Sequence, residues 1–204
     1  MPNKSGEQSE LSAAERLAVT PGSDTVFRVP RSHYGKQLTN FDWSAHPPAA
    51  DDVVRFIEAA RLCQAPHLIL TGDVGTGKTH IAVGLYRWAV LHAGTLGSTF
   101  FTMAEFYKEV KRSYGTDNDP LDDVRAADFF VVLDDPFAAN RLHPGDLDIL
   151  FSMIDIVHQN QAALVWTMND DVAQLSTRLR PYEVDRVLEH AVVLEFSGDS
   201  WRLR

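Results

Sequence analysis

The chain has 204 residues, 45% hydrophobic and 23% charged, enough to bury the core of one domain beside a short extra segment. Its formal net charge of −9 speaks against nucleic-acid binding by overall charge, so any such contact needs a local basic patch. The single cysteine, Cys63, excludes an intrachain disulfide and a cysteine-built zinc site and fits a reducing cytoplasm; no apolar run reaches membrane-spanning length.

Residues 1–28 are polar and read as a tail. Leu11, Ala14, Leu17 and Ala18 fall at helical spacing within it, so a short partner-docking helix is the other option. The rest of the chain, 29–204, reads as one domain. Val29 to Trp43 mixes aromatics with loop residues and predicts an ordered, extended segment packed on that domain. Pro47 and Pro48 are expected to exclude helix. Asp51 to Leu62 follows as a helix, with Val54 and Ile57 at helical spacing and Val53, Phe56 and Ala60 beside them.

His67 to Thr71 predicts a short buried strand. Gly72-Asp73-Val74-Gly75-Thr76-Gly77-Lys78-Thr79 then fits G-x-x-x-x-G-K-[ST], the phosphate-binding P-loop. Its glycines let successive backbone N–H groups point inward at phosphate oxygens. Lys78 reaches the β- and γ-phosphates, and Thr79 offers a hydroxyl to Mg²⁺. A helix from Ile81 to His92 presents its positive N-terminus to the same place. The expected nucleotide contacts are Gly72, Val74, Gly75, Thr76, Gly77, Lys78, Thr79 and His80, with ATP and Mg²⁺ as cofactors.

Thr99 to Thr102 predicts a second strand. Met103 to Tyr114 is a helix with Met103, Tyr107, Val110 and Tyr114 on one stripe. After a helical turn over Leu121 to Ala127, Phe129 to Leu133 is continuously apolar, as in a strand buried on both faces. Further helices are expected over Pro144 to His158, Val172 to Leu179 and Tyr182 to His190. Further strands are Ala163 to Met168 and Ala191 to Phe196. The alternation predicts an α/β fold of three layers, a P-loop NTPase with a central parallel sheet between helices. Ligands bind such sheets at the carboxyl ends of the strands. The P-loop, Asp134-Asp135 and Asn169 all fall there.

Asp134 and Asp135 follow four apolar residues in the Walker B pattern. Asp134 is expected to hold Mg²⁺ through water, and Asp135 to orient or activate the attacking water. As the shorter acid, Asp135 fits slow hydrolysis. Asn169 is a candidate sensor between the γ-phosphate and the Walker B acid; the rival is turn chemistry, with Asn-Asp-Asp as an N-cap for the helix from Val172. Arg178, Arg180 and Arg186 form a basic cluster from which an arginine could reach a neighbouring subunit's γ-phosphate. Lys108, Lys111, Arg112 and Tyr114 combine charge with a ring that could stack on a base of single-stranded nucleic acid. For Tyr114, core packing is the alternative.

Taken together, these motifs resemble the AAA+ ATPases of the DnaC/DnaI helicase-loader and IstB transposition-helper group. The likeness rests on the aromatic lead-in Val29-Pro30, Tyr34 and Phe41-Asp42-Trp43; on Gly72 to Thr79; on Val131 to Asp135 and Thr167-Met168-Asn169; and on Val184-Asp185-Arg186 and Ser200-Trp201-Arg202. It implies the AAA+ (ASCE-type) fold without a separate C-terminal helical lid. It also implies an arginine finger at Arg186, single-stranded DNA contacts at Lys111 and Tyr114, and Arg202 near the nucleotide. Two departures stand out. Loaders carry an N-terminal helicase-gripping domain where this chain has about 28 residues. Where the family often has Gly and an acidic residue after the Walker B acids, Pro136-Phe137-Ala138-Ala139 stand here.

The first expectation is therefore a DnaC-like helicase loader acting in DNA replication. Its partners would be a replicative helicase, single-stranded DNA and further copies of itself, with no membrane. An IstB-like transposition helper on duplex DNA is the close rival. A small-molecule P-loop kinase and a nucleotide-dependent adaptor that barely hydrolyses ATP are the rivals from other classes.

Overall fold

Parallel strands that are apolar on both sides need helical cover on both sides. The computed structural model describes residues 29–94, 97–138, 142–198, 200 and 201. Their strands are β1 (His67–Gly72), β2 (Ser98–Thr102), β3 (Phe130–Asp134), β4 (Ala163–Thr167) and β5 (Ala191–Phe196). They form one sheet in the order β2-β3-β4-β1-β5, and every pair is parallel. The helices are α1 (Pro47–Arg61), α2 (Lys78–Ala93), α3 (Met103–Ser113), α4 (Asp122–Ala126), α5 (Pro144–Asn160), α6 (Leu175–Arg178) and α7 (Pro181–Leu188).

Alternate strand residues feed two cores. Leu68, Leu70, Phe130, Val132 and Val165 pack with Phe56 of α1 and with Ile81, Leu85 and Tyr86 of α2. Ile69, Val131, Leu133, Leu164 and Trp166 pack with Met103 and Tyr107 of α3, Leu150 and Ile154 of α5, and Val187 of α7. The three-layer P-loop NTPase architecture is thus the observed one. In register, Leu70 and Asp134 both face Thr167, which sets the carboxyl ends of β1, β3 and β4 side by side. The edge strand β5 is less apolar in its surroundings than its sequence implies, with Val193 and Glu195 exposed. Among the described residues no helix is long and apolar enough to cross a membrane.

Four local expectations need correction. Pro47 and Pro48 open α1 instead of excluding it. At the first helical positions the N–H that proline lacks has no intrahelical partner, and its φ is preset for helix. Residues 29–45 are not extended: three 3₁₀ turns, Arg31–His33, Leu38–Asn40 and Trp43–Ala45, fold them onto the domain. Leu38, Phe41 and Trp43 are buried there, and the Trp43 indole donates to the Leu38 carbonyl at 2.9 Å. Val172 to Leu179 is not one helix but a 3₁₀ turn, Val172–Gln174, and the single turn α6. Tyr114 leaves the apolar stripe: it follows α3 in a non-helical conformation and is 69% exposed, while Phe106 joins Met103, Tyr107 and Val110 inside. The expected helix over Leu11 to Ala18 lies outside the described residues.

Candidate nucleotide site

Gly72, Gly75 and Gly77 have φ of +112°, +85° and +104°, a backbone curl open to glycine. Close neighbours crowd all three. A Cβ on Gly72 would stand 2.1 Å from the Phe196 carbonyl oxygen, one on Gly77 2.5 Å from the Phe41 ring, and one on Gly75 2.0 Å from Ser200 Oγ. No side chain caps the start of α2, which leaves its leading N–H groups available to an anion. The buried Lys78 ammonium donates to the carbonyls of Gly72 (2.7 Å) and Asp73 (2.6 Å), so it lies across the loop it serves. The Thr76 hydroxyl donates to the Asp73 carbonyl at 2.8 Å and shapes the loop from beneath.

A cavity of about 480 Å³ opens above this loop. Val74, Gly75, Gly77, Lys78, Thr79 and His80 of the P-loop line it with Asp135, Thr167 and Asn169 at the strand ends and the aromatic rings of Phe41 and Trp201. That is the size range of small-ligand sites. Gly72 and Thr76 do not line it; they hold the curl. His80 serves mainly the lead-in segment: its Nε2 lies 2.9 Å from the Gln37 carbonyl and 2.8 Å from Asn40 Oδ1, and burial keeps its pKa below the ordinary value. Arg202 lies outside the described residues.

A row of polar groups joins the cavity's lining residues through Asp134, which is buried and does not itself line the cavity. Thr79 Oγ1 donates to Asp134 Oδ1 at 2.9 Å, and Thr167 Oγ1 donates to the same oxygen at 2.9 Å. The Asp135 N–H donates to Thr167 Oγ1 at 2.9 Å, and Asn169 Nδ2 donates to Asp135 Oδ2 at 3.2 Å. Asp135 has φ +51°, so the chain turns sharply after β3 and aims its carboxylate back at the cavity. Burial, then the charge of Asp134, raises its pKa, while Lys78 lowers it. The N-cap expected of the run Asn169-Asp170-Asp171 is supplied by Asp171, which accepts from the Ala173 N–H at 3.0 Å, while Asn169 bonds Asp135.

The residues present fit Mg²⁺. The Thr79 hydroxyl and the Asp134 carboxylate, joined at 2.9 Å, are hard oxygen donors that would hold it, the hydroxyl directly and the carboxylate through water. Among the described residues no group of three or more His, Cys, Asp or Glu could hold a metal. A Thr–Asp pair completed by phosphate oxygens and water is the usual way Mg²⁺ is held.

Other candidates lie elsewhere. Arg186 pairs with Asp155 of α5, and its guanidinium lies 5.5 Å from the Tyr182 ring centre. Spacing along one helix could not reveal a partner 31 residues away. Lys111 pairs at 2.7 Å with the buried Asp146 at the start of α5, and Tyr114 stands in solvent beyond it. Lys111 and Tyr114 share the carboxyl end of α3, and both are exposed.

Two groups escaped sequence reasoning. Thr167 is a polar residue at the end of an apolar strand, the one visible hint of its role. The strap over the P-loop gave none; there Asp73 N–H donates to Phe196 O (2.9 Å), Gly198 N–H to Asp73 Oδ2 (3.2 Å) and Trp201 N–H to Gly75 O (3.0 Å). Phe41 and Trp201, from the lead-in and the last motif of the resemblance, both line the cavity.

This arrangement has known counterparts. Residues 23–204 match the family described as IstB-like ATP binding protein. The chain belongs to that family. The IstB-like chain is 22% identical over 189 residues to the ATP-binding protein of insertion sequence IS5376 from Geobacillus stearothermophilus, covering 88% of this chain and 73% of the relative. It is 24% identical over 176 residues to the ATP-binding protein of insertion sequence IS232 from Bacillus thuringiensis subsp. berliner, covering 83% and 69%. Its fold is similar to the crystal structure of the DnaC helicase loader: TM-score 0.71, 21% identity, 82% of this chain and 100% of the other. The IstB-like chain is thus an ATP-binding protein of the AAA+ DnaC/IstB group.

Proposed function

We propose that the IstB-like chain hydrolyses ATP, with Mg²⁺, to drive a DNA transaction of the transposition-helper type in the cytoplasm. The observation that supports the hydrolytic reading is the hydrogen-bonded row Thr79–Asp134–Thr167–Asp135–Asn169, of which Thr79, Thr167, Asp135 and Asn169 line one cavity. Lys78 supplies positive charge to the β- and γ-phosphates. Asp135 orients water in line with the bond to be broken, and Asn169 holds that carboxylate. Arg186, freed from Asp155, completes the site of a neighbouring copy in an ATP-dependent oligomer.

Membership of the IstB-like family and relatives from two insertion sequences support the helper reading over the loader, reversing the order expected from charge. The exposed Tyr114 ring favours a second reading, a DnaC-like loader that contacts single-stranded DNA and a replicative helicase in DNA replication. A small-molecule kinase needs an arginine-rich lid over the phosphates, and neither Arg178 nor Arg180 lines the cavity.

The test is ATP turnover by the parent and by Asp135→Asn, with duplex and single-stranded DNA as separate additions. Turnover in the parent, its loss in the variant with ATP affinity kept, and preference for duplex support the helper. Preference for single strands with ATP-dependent capture of a replicative helicase supports the loader. Tight ATP binding without turnover under every condition leaves the adaptor.

A further inference from the structure

Two turns meet at the mouth of the cavity, and each carries one member of the pair Asp135–Asn169. The first, after β3, is closed by the Ala138 N–H donating to the Asp135 carbonyl at 3.1 Å. The second, after β4, is pinned where the Thr71 hydroxyl donates to the Asp170 carbonyl. Directly between them runs the Asn169–Asp135 hydrogen bond, at 3.2 Å long for an amide donor.

The Arg178 guanidinium touches both turns. Its Nη2 lies 2.6 Å from Asp170 Oδ2, gripping the turn of Asn169. Its centre lies 4.9 Å over the Phe137 ring, gripping the turn of Asp135. Phe137 in turn rests 5.6 Å from the Trp166 ring of β4, so the stack is anchored in the sheet. A planar guanidinium can bond through its edge and stack through its face at once, which a lysine cannot. The neighbouring cluster members face α5 instead: Arg180 lies over Phe151, and Arg186 pairs with Asp155. The link is therefore particular to Arg178.

We infer that Arg178 is a positioning residue for hydrolysis, holding the Asp135 turn and the Asn169 turn in one mutual orientation through Phe137 and Asp170. This rests on the ATPase reading above. Arg178 touches no cavity-lining position itself; it acts through its two contacts.

In the full-length chain, Arg178→Ala should lower kcat about tenfold, the scale of a small misplacement of catalytic groups. Affinity for a fluorescent ATP analogue should stay within about twofold, because the P-loop is untouched. Arg178→Lys, which keeps the ion pair and loses the stack, should recover part of the rate. In an Asn169→Ala background, Arg178→Ala should cost less than about twofold more, since coupled groups are not additive. Asp170→Asn cuts the same link from the other side and should lower kcat like Arg178→Ala; it replaces that variant if thermal unfolding shows a lost fold. Parental kcat in Arg178→Ala or Asp170→Asn, an equal loss of ATP affinity, or an undiminished effect in the Asn169→Ala background overturns the assignment. No turnover by the parent under any condition sinks the ATPase reading and this inference with it; turnover by the parent with parental kcat in both variants sinks this inference alone.

Discussion

Replacing Thr167 by Val keeps the shape of a buried strand residue and removes one hydroxyl. That hydroxyl donates to Asp134 and accepts from the Asp135 N–H, both at 2.9 Å, so two Walker B residues are fixed by one atom. Losing a hydrogen bond to a carboxylate costs about 1.5–3 kcal/mol, and the partly buried N–H, which water can reach, adds about 1. The sum, about 2.5–4 kcal/mol, lowers the unfolding midpoint of a domain this size by about 5–15 °C. Turnover should fall about tenfold or more, because Asp134 and Asp135 are both released from their orientation. Thr167→Ser keeps the hydroxyl and serves as the control. Thermal unfolding and steady-state ATP turnover on the three proteins check the reasoning. If Thr167→Val melts with Thr167→Ser and turns over at the parental rate, the hydroxyl does not organise the site.

Lys78→Ala should abolish ATP binding, measured with a fluorescent analogue, because it removes the charge that faces the β- and γ-phosphates. Gly77→Ala should lose ATP affinity and stability together, since its Cβ would strike the Phe41 ring at a φ of +104°; an unfolding midpoint equal to the parent's would refute the clash. His67 donates from Nδ1 to the Val187 carbonyl at 3.0 Å and is held neutral, its pKa lowered chiefly by burial. Its unfolded pKa lies higher, near 6.5, so the unfolded chain binds the extra proton first and stability falls as pH drops below about 6.5, by up to about 1.4 kcal/mol per pH unit. Urea unfolding from pH 7.5 to 5.5 should show a slope that flattens in His67→Asn; equal slopes would exclude this group. Arg186→Ala should bind ATP normally yet lose concentration-dependent turnover, and mixing it with Lys78→Ala should restore some; no recovery on mixing would remove Arg186 from a finger role.

Much of this molecule is written locally. Glycine spacing and Lys78-Thr79 specify the phosphate loop, because backbone curl and charge placement need only neighbouring residues. Apolar runs ending in Asp134-Asp135 and near Asn169 specify buried parallel strands and put chemistry at their carboxyl ends. What the local pattern could not decide are contacts between residues far apart in the chain. Thr167 became part of the site because β4 lies between β1 and β3 in register. Trp201 and Phe196 strap the P-loop because β5 pairs with β1. Arg186 meets Asp155, Arg178 spans Phe137 and Asp170, and Lys111 meets Asp146 only once α3, α5, α6 and α7 cover one face of the sheet. Tyr114 turned outward for a related reason. A helical stripe predicts burial only while the helix lasts, and α3 ends one residue earlier. Periodicity and motif report the direction of a backbone; which charged side chains meet is set by packing, where direct contact outweighs sequence distance.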